Sequence, residues 1–127
     1  MPKAMVVDDS RTIRRILSGI LGQLGFEMCE AENGVAALTV LDKAREAGTP
    51  VTLALVDWNM PEMNGLEFVK RLRADARNAD VLAVMVTTET QVDQMVAALE
   101  AGANEYVMKP FTRDVIQDKL RLLGLLQ

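Results

Sequence analysis

Two stretches of the chain, TLALV (52–56) and VLAVMV (81–86), are apolar at almost every position. A strand of that kind must be covered on both faces, as in a parallel sheet with helices above and below it. Three further β-like runs, KAMVV (3–7), FEMCEA (26–31) and NEYVM (104–108), flank these two, and each of the five is followed by a helix-like stretch. Such βα alternation predicts an α/β fold, a doubly wound parallel sheet of five strands with five helices on both faces.

The helical stretches carry their own punctuation. In the first, Ile13, Ile16, Leu17, Ile20, Leu21 and Leu24 recur at three- and four-residue spacing, and Gly25 is placed to end it. Asn33-Gly34 introduces a second helix with Leu38 and Leu41 on its apolar side and Gly48 after it. A third is expected over Gly65 to Arg73, a fourth from Thr90 to Ala101 before Gly102, and a fifth from Thr112 to Leu126 with Val115, Ile116, Leu120 and Leu123 as its buried stripe.

A chain of 127 residues with no linker or low-complexity segment corresponds to one domain, 1–127, and the reading leaves no room for a separate output domain. With 50% hydrophobic and 25% charged residues it has the composition of a globular protein, and no segment reaches the roughly 18 apolar residues that a membrane span needs. The amino terminus, MPKAMVVDD, is too short in apolar residues for a secretory signal, so a cytoplasmic location is expected. Cys29, the single cysteine, is read as a small core or strand residue. A net charge of −4 argues against nucleic acid or an anionic membrane as the main partner. The complete lack of histidine removes His-based acid–base catalysis, His-dependent triads and the usual zinc enzyme motifs.

In open parallel sheets, ligands bind beyond the carboxyl ends of the strands. The first run ends on Asp8 and Asp9, the third on Asp57, the fourth on Thr87 and Thr88, and the fifth on Lys109. Three carboxylates at one sheet edge repel one another unless a cation intervenes. Magnesium suits an oxygen-only donor set and brings phosphate with it, whereas calcium would be expected with an EF-hand loop, which the chain lacks. Lys109 would meet one phosphoryl oxygen and the Thr87 hydroxyl another, leaving a carboxylate free to attack phosphorus.

These residues, in this order, resemble the receiver domain of two-component response regulators, and in particular the stand-alone chemotaxis receivers. The resemblance spans essentially the whole chain and is carried by VVDDS, LVDWNMPEMNG, VMVTTE and NEYVMKP followed by Phe111. It implies the strand order 2-1-3-4-5. It further implies that Asp57 is the phosphoacceptor, Asp9 a direct Mg²⁺ ligand, Asp8 a ligand mainly through water, and the Asn59 backbone carbonyl the last protein donor. Thr87 and Lys109 would contact the phosphoryl group, Tyr106 would turn inward when Thr87 moves, and the Lys109–Pro110 bond would be cis. Asn59 and Glu89 resemble residues that tune dephosphorylation. The resemblance implies a monomer whose partners are a histidine kinase as donor and a protein target, foremost a flagellar motor switch protein. A role as phosphorelay intermediate or phosphate sink, and the action of a phosphatase, stay open. Receivers usually carry a small residue where this chain has Thr88, so the extra branch is expected to narrow access to Asp57.

Plainer readings stand beside these. Asp8 alone could cap the following helix, Thr87 and Tyr106 could be ordinary strand residues, and Lys109 a solvated charge. The methionines, Met60, Met63, Met85, Met95 and Met108 among them, read as core and rim fillers, and Gly65 as a loop and helix-start residue. From another functional class, haloacid-dehalogenase phosphatases also use an aspartate nucleophile, a hydroxyl residue, a lysine and Mg²⁺. Their nucleophile lies on the first strand, however, and their acid pair comes late. A binding module that no longer takes phosphate is the third reading.

Overall fold

A computed structural model describes residues 1–88 and 92–126. The chain alternates β1 (Lys3–Val7), α1 (Arg11–Gln23), β2 (Glu27–Ala31), α2 (Gly34–Glu46), β3 (Val51–Val56), α3 (Gly65–Ala74), β4 (Leu82–Thr87), α4 (Val92–Ala101), β5 (Glu105–Met108) and α5 (Arg113–Leu122). A short 3-10 turn at Ala76–Asn78 follows α3, held by the Asp75 carboxylate on the Arg77 amide, and the sequence pattern gave no sign of it. All strands pair in parallel in the order β2-β1-β3-β4-β5. No helix among the described residues is long and apolar enough to cross a membrane.

Strand alternation divides the interior into two cores. Ala4, Val6, Leu53, Leu55, Val84, Val86 and Val107 face one side, where Leu17 and Leu21 of α1 and Ile116 and Leu120 of α5 cover them. Met5, Val7, Ala54, Val56, Ala83 and Met85 face the other, under Ala37 and Leu41 of α2, Phe68, Val69 and Leu72 of α3 and Ala98 of α4. This two-sided burial is why β3 and β4 are apolar at almost every position, each fully buried side chain the size of leucine or valine contributing ~2 kcal/mol. Met5, Met63 and Met85 are core fillers, as their type suggests, and Cys29 lies half-buried on β2, its thiol 3.5 Å from the Ala4 carbonyl oxygen.

The helix starts follow the capping chemistry. Ser10, Asn33, Asn64 and Thr112 each accept a hydrogen bond from the amide three residues on, at 3.3, 2.8, 2.8 and 3.2 Å. The cap of α1 is therefore Ser10 and not Asp8, whose carboxylate instead accepts from the Ser10 amide at 2.8 Å. Thr90, expected to open α4, lies outside the described residues, and α4 is seen from Val92 onward.

Three expectations need correction. The last helix stops at Leu122, short of Leu126, because Gly124 adopts φ 79 and the Leu125 amide turns back to the Leu120 carbonyl at 2.9 Å, a Schellman ending. Leu125 and Leu126 still pack against the core as non-helical chain. Ile16 and Val115, placed in buried stripes by spacing, are 47% and 41% exposed. Each is one residue, or about 100° of helix, from a residue that points straight at the sheet (Leu17, Ile116), so it lies at the rim of the contact. Finally, β2 begins at Glu27, β4 at Leu82 and β5 at Glu105, each one residue later than the apolar runs suggested, and β3 at Val51, one residue earlier, although Phe26 is buried just before its strand.

At the far end from the strand carboxyl termini, Arg73 of α3 gathers three connections. Its guanidinium donates to the carbonyls of Gly102 and Asn78 at 3.0 and 3.1 Å and to Asn104 Oδ1 at 2.8 Å. That same Asn104 oxygen accepts from the Ala83 amide.

Gly65, at the first turn of α3, sits directly on the backbone below it. A Cβ there would collide with the Asp57 carbonyl oxygen, lie 2.7 Å from Met85 Cε and 3.0 Å from Trp58 Cα. Two of these neighbours are main chain and cannot swing away. Gly65→Ala should thus destabilise the fold by ~2 kcal/mol through overpacking, read as a lowered urea midpoint; an unchanged midpoint would contradict this packing.

Candidate functional site

The strand ladder continues one step past the strands, and this is what assembles the site. The Asp57 amide donates to the Val7 carbonyl at 2.9 Å, the Asp8 amide to Ala31 at 3.1 Å, and the Lys109 amide to Thr87 at 2.8 Å. Residues scattered from 8 to 109 are thereby fixed at one level beyond the sheet. Asp8, Asp9 and Asp57 each present a carboxylate oxygen, and these oxygens lie within 4.8 Å of one another.

Lys109 reaches into this cluster, its Nζ 3.0 Å from Asp8 Oδ2 and 3.3 Å from Asp57 Oδ1. The solvated-charge reading of Lys109 is thus replaced by a paired one. The Lys109–Pro110 peptide is cis, as expected. Asp8 and Asp57 are buried, at 1% and 7% exposure, while Asp9 is exposed. Burial pushes the Asp57 carboxyl above the ordinary carboxylate range, and the charge of Asp8 pushes the same way; Lys109 opposes both, and Asp9 adds a further upward push. Three carboxyl groups against one ammonium leave an excess of acidic oxygen donors in the site. The donor chemistry therefore fits a hard divalent cation such as Mg²⁺.

The remaining expected residues fall around this centre. Thr87 is buried at the end of β4, and Thr88 is exposed beside it. Thr88 lines an apolar hollow with Ile13, Ile16, Lys109, Pro110 and Phe111, which adjoins the cluster through Lys109. Asn59 lies at the open mouth together with Asp9, Met60, Pro61 and Asn64. Tyr106 is half-buried against the core that α2, α3 and α4 cover, with Lys119 Nζ 5.2 Å from its ring centre. Lys119 is also paired to Glu105 at 3.1 Å. Glu89 lies outside the described residues.

Sequence reasoning missed two neighbours of the site. Arg14 of α1 donates from Nη1 to the Asp8 carbonyl at 2.7 Å and from Nε to Glu30 at 3.1 Å. A surface helix with two consecutive arginines, Arg14 and Arg15, gives no local sign of which one turns toward the loop. Glu62 is the second, a non-glycine residue at φ 67 in the loop between Asp57 and α3.

Comparison with known proteins agrees with this geometry. The response regulator receiver domain profile matches residues 4–121, and the chain belongs to that family. Among its relatives, chemotaxis protein CheY1 of Helicobacter pylori is 45% identical over 122 residues, 95% of each chain. A chemotaxis protein CheY homolog of Campylobacter jejuni is 47% identical over 119 residues, 93% of this chain and 88% of the other. The solved structure of chemotaxis response regulator CheY4 of Vibrio cholerae superposes with a TM-score of 0.87 at 33% identity, covering 97% of this chain and 98% of that one. This is a receiver domain of the CheY-like chemotaxis type, a signalling protein, and the haloacid-dehalogenase reading is set aside.

The raised Asp57 carboxyl has a consequence for stability. The folded chain holds a proton on Asp57 more tightly than the unfolded chain does, so stability falls as pH rises from the ordinary carboxylate range through the raised value. In Mg²⁺-free buffer at neutral pH, Asp57→Asn should melt above the native chain, by about 4 °C for each kcal/mol of burial cost and repulsion relieved. The gap should close in acid, where the native carboxyl takes up its proton. Thermal melts in chelator at neutral and acid pH check this, and a neutral-pH midpoint at or below the native one would refute it.

Proposed function

We propose that this receiver is a phosphorylation-activated switch, with Asp57 as phosphoacceptor, Mg²⁺ as its cofactor and a histidine kinase as its donor. The observation that supports this most directly is a buried carboxylate, Asp57, held within salt-bridge distance of Lys109 and beside two further carboxylates at the open sheet edge. The chain has no histidine of its own, so the phosphohistidine comes from the partner.

In the reaction, an Asp57 carboxylate oxygen attacks phosphorus, a new O–P bond forms, and the P–N bond to the donor imidazole breaks. Asp9 and Asp57 would hold the ion directly and Asp8 through water, with the Asn59 backbone carbonyl as the last protein donor. When bound, Mg²⁺ neutralises the carboxylates and presents positive charge to the phosphoryl oxygens. Lys109, already poised between Asp8 and Asp57, follows the negative charge onto the phosphoryl group. The Thr87 hydroxyl binds another phosphoryl oxygen, and its movement opens space into which Tyr106 turns. Phosphorylation shifts the population by as much as these contacts differ between the two states.

The readout is a protein contact made by a cytoplasmic monomer through α4, β5 and α5. Val92, Val96 and Leu99 of α4 supply exposed apolar surface there, at 69%, 44% and 42% exposure. Given its chemotaxis relatives, the target is a flagellar motor switch protein. Asn59, with Glu89, tunes the return by hydrolysis, and Thr88 restricts entry to Asp57.

Trp58, beside the phosphoacceptor, is the only tryptophan and gives the test. Its fluorescence should respond to Mg²⁺ and again to a small acyl-phosphate donor, with one phosphoryl group gained by intact mass. Asp57→Asn should lose the donor response and the mass gain. A native chain that gains no phosphoryl group would leave a phosphate-independent binding module. In the same assay Thr88→Ala should accept phosphate faster than the native chain, and an equal rate would remove its role in access.

A further inference from the structure

We infer that Arg14 is a positioning residue for the metal-binding end of the site, acting through the peptide plane that joins Asp8 to Asp9 and anchored in turn by Glu30. The inference rests on the preceding reading of Asp9 as a Mg²⁺ ligand.

Arg14 lies in the first full turn of α1, its amide donating to the Ser10 carbonyl at 3.0 Å. Side chains on a helix lean toward its N-terminus, so Arg14 is directed back over the β1–α1 loop. There its guanidinium divides its donors. Nη1 meets the Asp8 carbonyl at 2.7 Å and Nε meets Glu30 Oε1 at 3.1 Å, with the Arg14 side chain only 16% exposed. Glu30 is on β2, paired in register with Val6, and the next residue, Ala31, accepts the Asp8 amide at 3.1 Å. Both peptide units flanking Asp8 are therefore tied to the end of β2, one directly and the other through Arg14.

What this fixes is chiefly Asp9. The Asp8 carboxylate is already set by the Ser10 amide at 2.8 Å and by Lys109 at 3.0 Å. Asp9 is exposed, so burial does not orient it. Its direction follows from the peptide plane whose oxygen Arg14 holds. Because Arg14 and Glu30 carry opposite charges side by side, their joint field at the cluster is small and their effect is geometric. The forked guanidinium is needed to hold carbonyl and carboxylate at once, which the single ammonium of lysine does not do.

The test is a Mg²⁺ titration of the full chain followed by Trp58 fluorescence, which requires no phosphoryl transfer. Arg14→Met should raise the half-saturating Mg²⁺ concentration roughly 10-fold, the scale seen when a partner that orients a metal ligand is removed. Arg14→Lys should not restore the native affinity. In an Asp9→Asn background, Arg14→Met should add no further loss, since the group it orients is gone. An Arg14 that merely supports the fold would weaken binding equally in both backgrounds, and that result overturns the inference, as does native affinity in Arg14→Met. Should Arg14→Met not fold, Glu30→Ala removes the anchor alone and must show the same dependence on Asp9. If Asp9→Asn itself binds Mg²⁺ as the native chain does, the ligand reading falls and this inference with it. If Asp9→Asn is weakened while Arg14→Met is not, only the inference falls.

Discussion

Like charges at the end of a sheet are costly, and this molecule holds three carboxylates within 4.8 Å of one another. The backbone supplies what keeps them there. Asp8 and Asp57 are each secured by a main-chain hydrogen bond that continues the parallel ladder beyond the last strand residue, so separating them would require peeling the ends of β1 and β3 from their neighbours. Those strands are buried on both faces, and the two cores resist that peeling. Lys109 offsets part of the repulsion but stays between two acids and commits fully to neither. The site is thus held by the sheet in an arrangement that favours whatever brings positive charge.

Much of this could be read in the residues. Strands apolar at almost every position pointed to the parallel class, because no half-solvated sheet would tolerate Leu53 through Val56 or Ala83 through Val86. Once the class was known, the residues at the strand ends became the candidate site without any knowledge of side-chain positions. The illegible parts have physical reasons. Helical spacing identifies an apolar side but not how wide a stripe the sheet will cover, so Ile16 and Val115 looked buried. The end of α5 depended on a single glycine among leucines, where apolar periodicity continues after the hydrogen bonding has turned. The Ser10 cap was hidden by the neighbouring aspartates, which have equal capping ability. Arg14 and Glu30 form a contact across 16 positions between a helix and an edge strand, and periodicity says nothing of such pairs.

The two faces of the sheet serve the site differently. On the α1 and α5 face, packing is mostly aliphatic, with Phe26 among the buried residues, and Arg14 ties the helix to the loop that carries the acid pair. On the opposite face, Gly65 brings α3 down onto the Asp57 backbone and Met85 fills the space beside it. Tyr106 also belongs to this second side. Tyr106, the residue proposed to respond to phosphorylation, therefore shares a core with the helix that rests on Asp57.

The Arg73 clasp bears on what α4 can do. By binding the carbonyl of Gly102, immediately after the last residue of α4, and at the same time Asn78 and Asn104, it rivets that end of the helix to α3 and to the start of β5. In the chain, α4 follows β4, whose last residue is Thr87. With its far end fastened, a tilt of α4 would pivot near Gly102. Such a tilt would displace the exposed row Val92, Val96 and Leu99 unequally, most at Val92 and least at Leu99, so that a partner lying along this helix would sense an angle more than a distance.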